Sequence, residues 1–179
     1  MREIETKYRV GDTETLLAAL KSAGVELGDA HLQDDLAYAP AGWGPEQGKV
    51  GYTFARLRTQ DGDHVLTTKT PVANVMECVE YETGVEDREQ THCVLVALGY
   101  EPSVRIVKER RSGRSGDMAV CVDVVKGAGT FLELELVVDD DRDGVRAQSE
   151  MDAWAQRLGV ALERTADTYD TLVRGGDVG

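Results

Sequence analysis

The chain has 179 residues, 33 of them Asp or Glu and 20 Lys or Arg, for a formal net charge of −13. A field of that sign repels polyanions at long range. It excludes non-specific binding to nucleic acid or an anionic membrane, and any anionic ligand must be met by local bases or by metal ions. Three cysteines (Cys78, Cys93, Cys121) and three histidines (His31, His64, His92) form no zinc spacing.

In chain order, Glu3, Glu5, Lys7 and Arg9 alternate with Ile4, Thr6, Tyr8 and Val10, the period of a strand. Asp12 or Thr13 then caps a helix with Leu16, Leu17 and Leu20 on one face and a stop at Gly24. The Gly- and Pro-rich stretch PAGWGPEQGKVG (40–51) predicts a mobile loop. FARLRTQ turns at Gly62 into HVLTTKTP, a hairpin. Asp87, with Gln90 three residues on, opens a second helix that stops at Gly99. SVRIVKERR turns through SGRSGD into MAVCVDVVKG, and TFLELELVV follows. That Gly-rich turn lacks the lysine and the strand–helix context of a phosphate loop. A third helix starts within 141–146, spaces Met151, Trp154 and Leu158 on one face and ends at Gly159. Each helix is preceded by a strand with acids two apart: Glu3 and Glu5, Glu80 and Glu82, Glu133 and Glu135. About eight antiparallel strands and three helices predict an α+β domain on a closed sheet, a single unit over 1–179 with disordered last residues.

For any one strand, a charged face belongs in water. Taken together the strands say otherwise. Arg56 and Arg58, Lys69, Lys108 and Arg110 stand on some strands, and Glu80 with Glu82, Asp123, and Glu133 with Glu135 on others. Solubility needs only a mixture of signs, and like charges two apart repel. Pointed inward, these faces make a lumen with a basic and an acidic cluster, which needs occupants of both signs because unpaired buried charge is costly. A polyphosphate and a divalent metal meet that need, and carboxylate donors without Cys or His suit Mg²⁺ or Mn²⁺. Arg105 and Arg111 have the opposite parity and face outward; Arg9 falls at the barrel mouth.

The set Glu3-x-Glu5-x-Lys7, ARLR at 55–58, LTTK at 66–69, Glu80-x-Glu82, VKER at 107–110 and VDVVKGAGTFLELE at 122–135 resembles, in order, the motifs of the CYTH superfamily, the triphosphate tunnel metalloenzymes. The resemblance spans residues 1 to about 173. It implies an eight-stranded antiparallel tunnel barrel that binds a triphosphate with one or two divalent metals. Lys7, Arg56, Arg58, Lys69, Lys108 and Arg110 would hold the phosphates, with Lys7, Lys108 and Arg110 nearest the reaction. Glu133, Glu135 and Asp123 would hold one metal and Glu3 and Glu5 a second, with Glu80 and Glu82 as further acidic positions. Tyr169 falls in the family's C-terminal helix, either approaching the tunnel or packing.

The layout most resembles the class IV adenylyl cyclases, which convert ATP to cyclic AMP and pyrophosphate. Hydrolysis of tripolyphosphate or thiamine triphosphate is the alternative, and a non-catalytic polyphosphate or nucleotide binder a second. Ala37 replaces the tyrosine of the cyclase branch's QxDxYF, Cys78 an arginine and Thr70 a glycine. These changes touch substrate fit rather than the metal and phosphate cluster. The expected partner is a small triphosphate rather than nucleic acid or a membrane, in a reducing cytoplasmic setting, with a homodimer left open.

Overall fold

A computed structural model describes residues 2–139 and 141–176. The expectation of disordered last residues falls on 177–179, outside the described residues. Strands β1 (Arg2–Val10), β2 (His31–Pro40), β3 (Phe54–Gln60), β4 (Asp63–Pro71), β5 (Glu77–Val85), β6 (Tyr100–Ser115), β7 (Met118–Val125) and β8 (Gly129–Val138) close into an antiparallel barrel. The spatial order β5-β4-β3-β2-β6-β7-β8-β1 is completed by a β1–β5 pairing at Arg2–Ile4. A ninth strand, β9 (Leu162–Thr165), pairs with the other half of β1. Four residues of mixed polarity carry too little period to be read as a strand from sequence.

The helices are α1 (Thr13–Ser22), α2 (Arg88–Ala97), α3 (Gly144–Gln156) and α4 (Tyr169–Gly176). The side chains of Asp12, Asp87 and Asp143 accept from the third backbone N–H of α1, α2 and α3. Each such cap contributes about 1 kcal/mol. The order β1-α1-β2, β5-α2-β6, β8-α3-β9 is the repeat that the paired acids predict, with α4 added.

Because side chains alternate across each strand, one face of every strand turns to the lumen and the other to the helices. Ile4, Tyr8 and Val10 point outward and, with Val120, Val122, Leu132 and Leu134, pack against Leu16 and Leu20 of α1 and Met151 and Ala155 of α3. The main apolar core thus lies outside the barrel, which frees the inside for charge. On another wall, Leu95 of α2 packs on Tyr38, Ala55 and Leu57.

The connections differ from expectation in two places. The hairpin after β6 is tighter, since the strands run to Ser115 and from Met118 with only Gly116 and Asp117 between them. A Cβ on Gly113 would meet the Glu26 carbonyl oxygen at 2.5 Å, so the glycine here admits the backbone that crosses β6. The 41–53 connection is fastened rather than loose. It holds a 3₁₀ turn at Pro45–Gln47, seats Trp43 edge-on to Phe54 at 5.0 Å and sends Lys49 to α4. No helix among the described residues is long and apolar enough to cross a membrane.

Candidate functional site

The lumen and its open mouth enclose about 1010 Å³. Strand register sets its charges opposite one another. Lys7 of β1 pairs with Glu133 of β8, Glu5 with Glu135, Arg110 of β6 with Asp123 of β7, Arg58 of β3 with Asp35 of β2, and Lys69 of β4 with Glu80 of β5.

The β6–β7–β8 wall is the most densely bonded. Asp123 is fully buried, and its carboxylate accepts from Arg110 Nε (2.7 Å) and Nη2 (2.6 Å), Lys108 Nζ (2.7 Å) and the Tyr169 hydroxyl (2.8 Å). Arg110 also reaches Glu135 at 3.0 Å and bonds Glu133. Lys7 lies 3.0 Å from Glu133 and 3.1 Å from Glu5. Burial pushes the Glu133 carboxyl up, but Lys7, Arg110 and Lys108 outweigh it and hold the group well below the usual carboxylate range. Burial lowers the Lys108 ammonium, and Arg110 beside it lowers it further.

On β1 and β5, beyond β8, the balance reverses. Burial pushes the Glu3 carboxyl up to about 8; Lys69 opposes this, and the Glu135, Glu80 and Glu5 carboxylates add to it. Glu5 rises to about 7 through burial and the neighbouring Glu133, with Lys7 opposing. Lys69 bridges Glu80 at 2.5 Å and Glu3 at 3.6 Å. Glu82, half exposed, accepts from Thr67 at 2.9 Å and lies 3.5 Å from Arg56.

A third group faces these two. Asp35 holds Arg58 in a two-pronged pair, 2.7 Å to Nε and 2.7 Å to Nη2. Arg56 donates Nη2 to Thr67 Oγ1 at 2.9 Å, while its buried Nε has no hydrogen-bond partner. Burial and the adjacent Arg58 lower the Arg56 guanidinium. A guanidinium crowded by a second one and left with an unpaired N–H offers a seat to an oxyanion.

The structure therefore brings the expected bases, together with Glu3, Glu5, Glu80, Asp123, Glu133 and Glu135, to one lumen, and leaves Glu82 toward its rim. Arg9 caps the barrel end on the Ala128 carbonyl (2.8 Å) and the Phe131 ring, and Arg105 lies outside on Asp34. Two participants, Thr67 and Lys49, escaped the sequence reading of the site, and a third, Asp35, matches the Asp of QxDxYF but was given no role there. Asp35 shares the lumen parity of Gln33, a signal that was available. Thr67 precedes Lys69 by two in the same way. Lys49, inside a glycine-rich connection, has no periodicity to betray it. Tyr169 resolves toward the tunnel: its ring lies 4.0 Å from Lys7 Nζ and 4.6 Å from Lys108 Nζ, and it packs on Phe131.

Divalent metal is tested by the donor chemistry. Among the described residues no three Asp, Glu, His or Cys side chains already converge on one point, because Arg110, Lys7 and Lys69 stand between the carboxylates. The donors nevertheless fit a hard cation. They are carboxylate oxygens, Glu5 Oε1 is buried without a hydrogen bond although Lys7 Nζ is near, and Glu3 and Glu5 hold protons up to neutral pH where a cation would serve.

A closed barrel whose lumen gathers acids and bases from most of its strands marks one charged, open-mouthed site. Residues 1–169 match the CYTH domain, and the chain belongs to the CYTH family. It is 28% identical over 173 residues to the adenylate cyclase CyaB of Aeromonas hydrophila, covering 95% of this chain and 87% of that one. It is 27% identical over 153 residues to a Methanocaldococcus jannaschii protein named as a candidate adenylate cyclase, covering 84% and 86%. The fold matches the solved PH1012 protein from Pyrococcus horikoshii OT3 with a TM-score of 0.80 at 22% identity, over 96% and 99% of the two chains.

Proposed function

We propose that the chain is a divalent-metal-dependent enzyme that binds a triphosphate in this lumen, and that its leading reaction is cyclisation of ATP to cyclic AMP and pyrophosphate. The observation that carries this is the imbalance between walls. Glu3 and Glu5 stay raised although Lys69 and Lys7 stand beside them, and Arg56 Nε is buried without a hydrogen-bond partner, so one triphosphate and its counter-cations would complete both.

Lys7, Lys108 and Arg110 are already charged and held by carboxylates, so phosphate oxygens would enter by exchanging partners rather than by recruiting bases from water. Such exchange costs little reorganisation, which is what electrostatic stabilisation of a phosphoryl transition state asks for. Arg56 and Arg58 would grip oxygens two-pronged, and Lys69 would act as a point charge between the acids. A divalent ion held by Glu133, Glu135 and Asp123, and a second by Glu3 and Glu5, would neutralise charge developing on the phosphate oxygens. Asp35 fixes Arg58, and Tyr169 fixes Asp123 while excluding water from Lys7 and Lys108.

The names of the relatives from A. hydrophila and M. jannaschii favour cyclisation. So does a cavity lined in part by Phe54, Pro71, Val75 and Ala37, apolar surface that an organic group could use and a bare polyphosphate could not. Hydrolysis of a terminal phosphate is the second reading, favoured by the departures at Ala37, Thr70 and Cys78; Ala37 and Cys78 line this same cavity. Incubation with Mg²⁺ or Mn²⁺ and, in parallel, ATP, tripolyphosphate and thiamine triphosphate decides between them. Cyclic AMP with pyrophosphate supports the lead and orthophosphate the second reading. Tight binding without turnover defeats both and leaves a binding protein.

A further inference from the structure

The 41–53 connection and α4 meet at one side chain. Lys49 Nζ lies 2.6 Å from Thr168 Oγ1 and 2.7 Å from each carboxylate oxygen of Asp170, so its hydrogen bonds go to the start of α4. The Lys49 and Asp170 side chains are only 15% and 18% exposed, which sets the pair apart from a screened surface bridge. Behind Lys49, its ammonium faces the Phe54 ring at 5.7 Å, and Trp43 anchors its own segment through Nε1–H to the Gly48 carbonyl at 2.7 Å. Between Thr168 and Asp170 stands Tyr169, whose hydroxyl bonds Asp123 and whose ring covers Lys7 and Lys108. Three consecutive residues, which line the cavity together with Lys49, thus join the 41–53 connection to the buried lysines Lys7 and Lys108.

We propose that Lys49 is a positioning residue: by clasping Thr168 and Asp170 it seats Tyr169 against Lys7 and Lys108, and so sets how tightly the lumen holds a triphosphate. This rests on the functional reading above. The clasp is charged and short, whereas most of α4's remaining contact with the barrel is through the apolar set Phe131, Leu172 and Val173 and the bond from Arg174 to Ser103. Apolar contacts tolerate sliding, but a bifurcated ammonium–carboxylate pair does not. Loss of the clasp leaves α4 folded on the barrel with Tyr169 free to leave its seat.

The test is calorimetric titration of tripolyphosphate with Mg²⁺ into the wild type, Lys49→Met, Lys49→Arg, Tyr169→Phe and the Lys49→Met/Tyr169→Phe double variant. The expected result is about tenfold weaker binding by Lys49→Met, near wild-type binding by Lys49→Arg, and a double variant no weaker than Lys49→Met alone, since both changes act through one seat. Wild-type affinity in a folded Lys49→Met overturns the proposal, as does additivity of the two changes. A lower melting temperature with unchanged affinity also overturns it, because it makes Lys49 merely structural. If the wild type binds neither tripolyphosphate, ATP nor thiamine triphosphate, the functional reading falls, and hydrogen exchange then decides the clasp. Faster exchange of the α4 amides in Lys49→Met but not in Lys49→Arg sustains it, and equal rates reject it.

Discussion

Glu5 and Glu133 are the same residue type on neighbouring strands, Glu133 buried and Glu5 largely so, and both touch Lys7. Glu5 is nonetheless raised to about 7, whereas Glu133 is held well below the carboxylate range. Burial acts upward on both, so the difference is supplied by neighbours. Arg110 and Lys108 stand beside Glu133, whereas Glu5 has Glu133 itself as its nearest added charge. One part of the barrel is thus an assembled ion network, and another keeps carboxylates whose single neighbouring lysines do not offset burial and like charge. A lumen of this kind is not simply charged; it is charged in separate places for separate ligands.

The largest effect expected from breaking this contrast is at Glu133. Glu133→Gln removes the carboxylate that Lys7 and Arg110 share; Lys7 keeps Glu5 and Arg110 keeps Asp123 and Glu135, so the cost falls below the ~3–5 kcal/mol of a wholly unpaired buried charge but stays the largest of the set. The substitution should lower the melting temperature clearly and reduce product formation to background, since the same oxygens are the proposed metal donors. A Glu133→Gln variant that melts like the wild type would contradict the account of the assembled wall, and one that keeps full turnover would contradict the site.

Glu5→Gln should act oppositely on stability. A carboxyl raised on folding stabilises fully below its unfolded value near 4.5, and that contribution is lost as pH rises through the folded value of about 7. Glu3, at about 8, loses its contribution over a window extending higher. In chelator at pH 8.5, Glu5→Gln should therefore melt above the wild type, by roughly 2 kcal/mol if most of the shift is realised, while losing turnover. At pH 4, below the unfolded value, the two should melt alike. A variant less stable than the wild type at pH 8.5 would mean that Glu5 is compensated by something other than a proton.

Much of this was legible in sequence because parity is a strong signal. Charges two apart on β1, β3, β6 and β8 must share a face, and the apolar residues between them must share the other. That placed the core outside and the lumen inside, and the capping aspartates placed the helix starts. What escaped did so for physical reasons. β9 is four residues long, and Lys49 works through a tertiary contact 121 residues away; α4 was foreseen only as the family's C-terminal helix around Tyr169. Asp35 was visible by parity, but its partner Arg58 emerges only when β2 and β3 are paired in register. The division of the acids into compensated and uncompensated sets was not legible at all, because it depends on which bases fold beside which carboxylates.

Metal should sharpen the contrast with a smaller effect. Because protons and cations compete for Glu3 and Glu5, Mg²⁺ or Mn²⁺ should raise the melting temperature more at pH 8 than at pH 6. An equal increment at both pH values would detach metal binding from these two groups.

The smallest effect should come from the outer face. Arg105 bonds Asp34 at 2.8 and 2.7 Å, a geometry as close as the pair between Arg58 and Asp35 one residue along the same strand. The difference is water: the Arg105 side chain is 67% exposed and that of Arg58 is 12% exposed. An exposed pair exchanges bonds with solvent at little loss, and a buried one cannot. Arg105→Ala should leave melting temperature and turnover within error of the wild type, whereas Arg58→Ala should weaken triphosphate binding and lower stability. Equal penalties at the two sites would mean that facing the lumen confers no special role on a charge in this barrel, and the separation of inner from outer faces would lose its functional meaning.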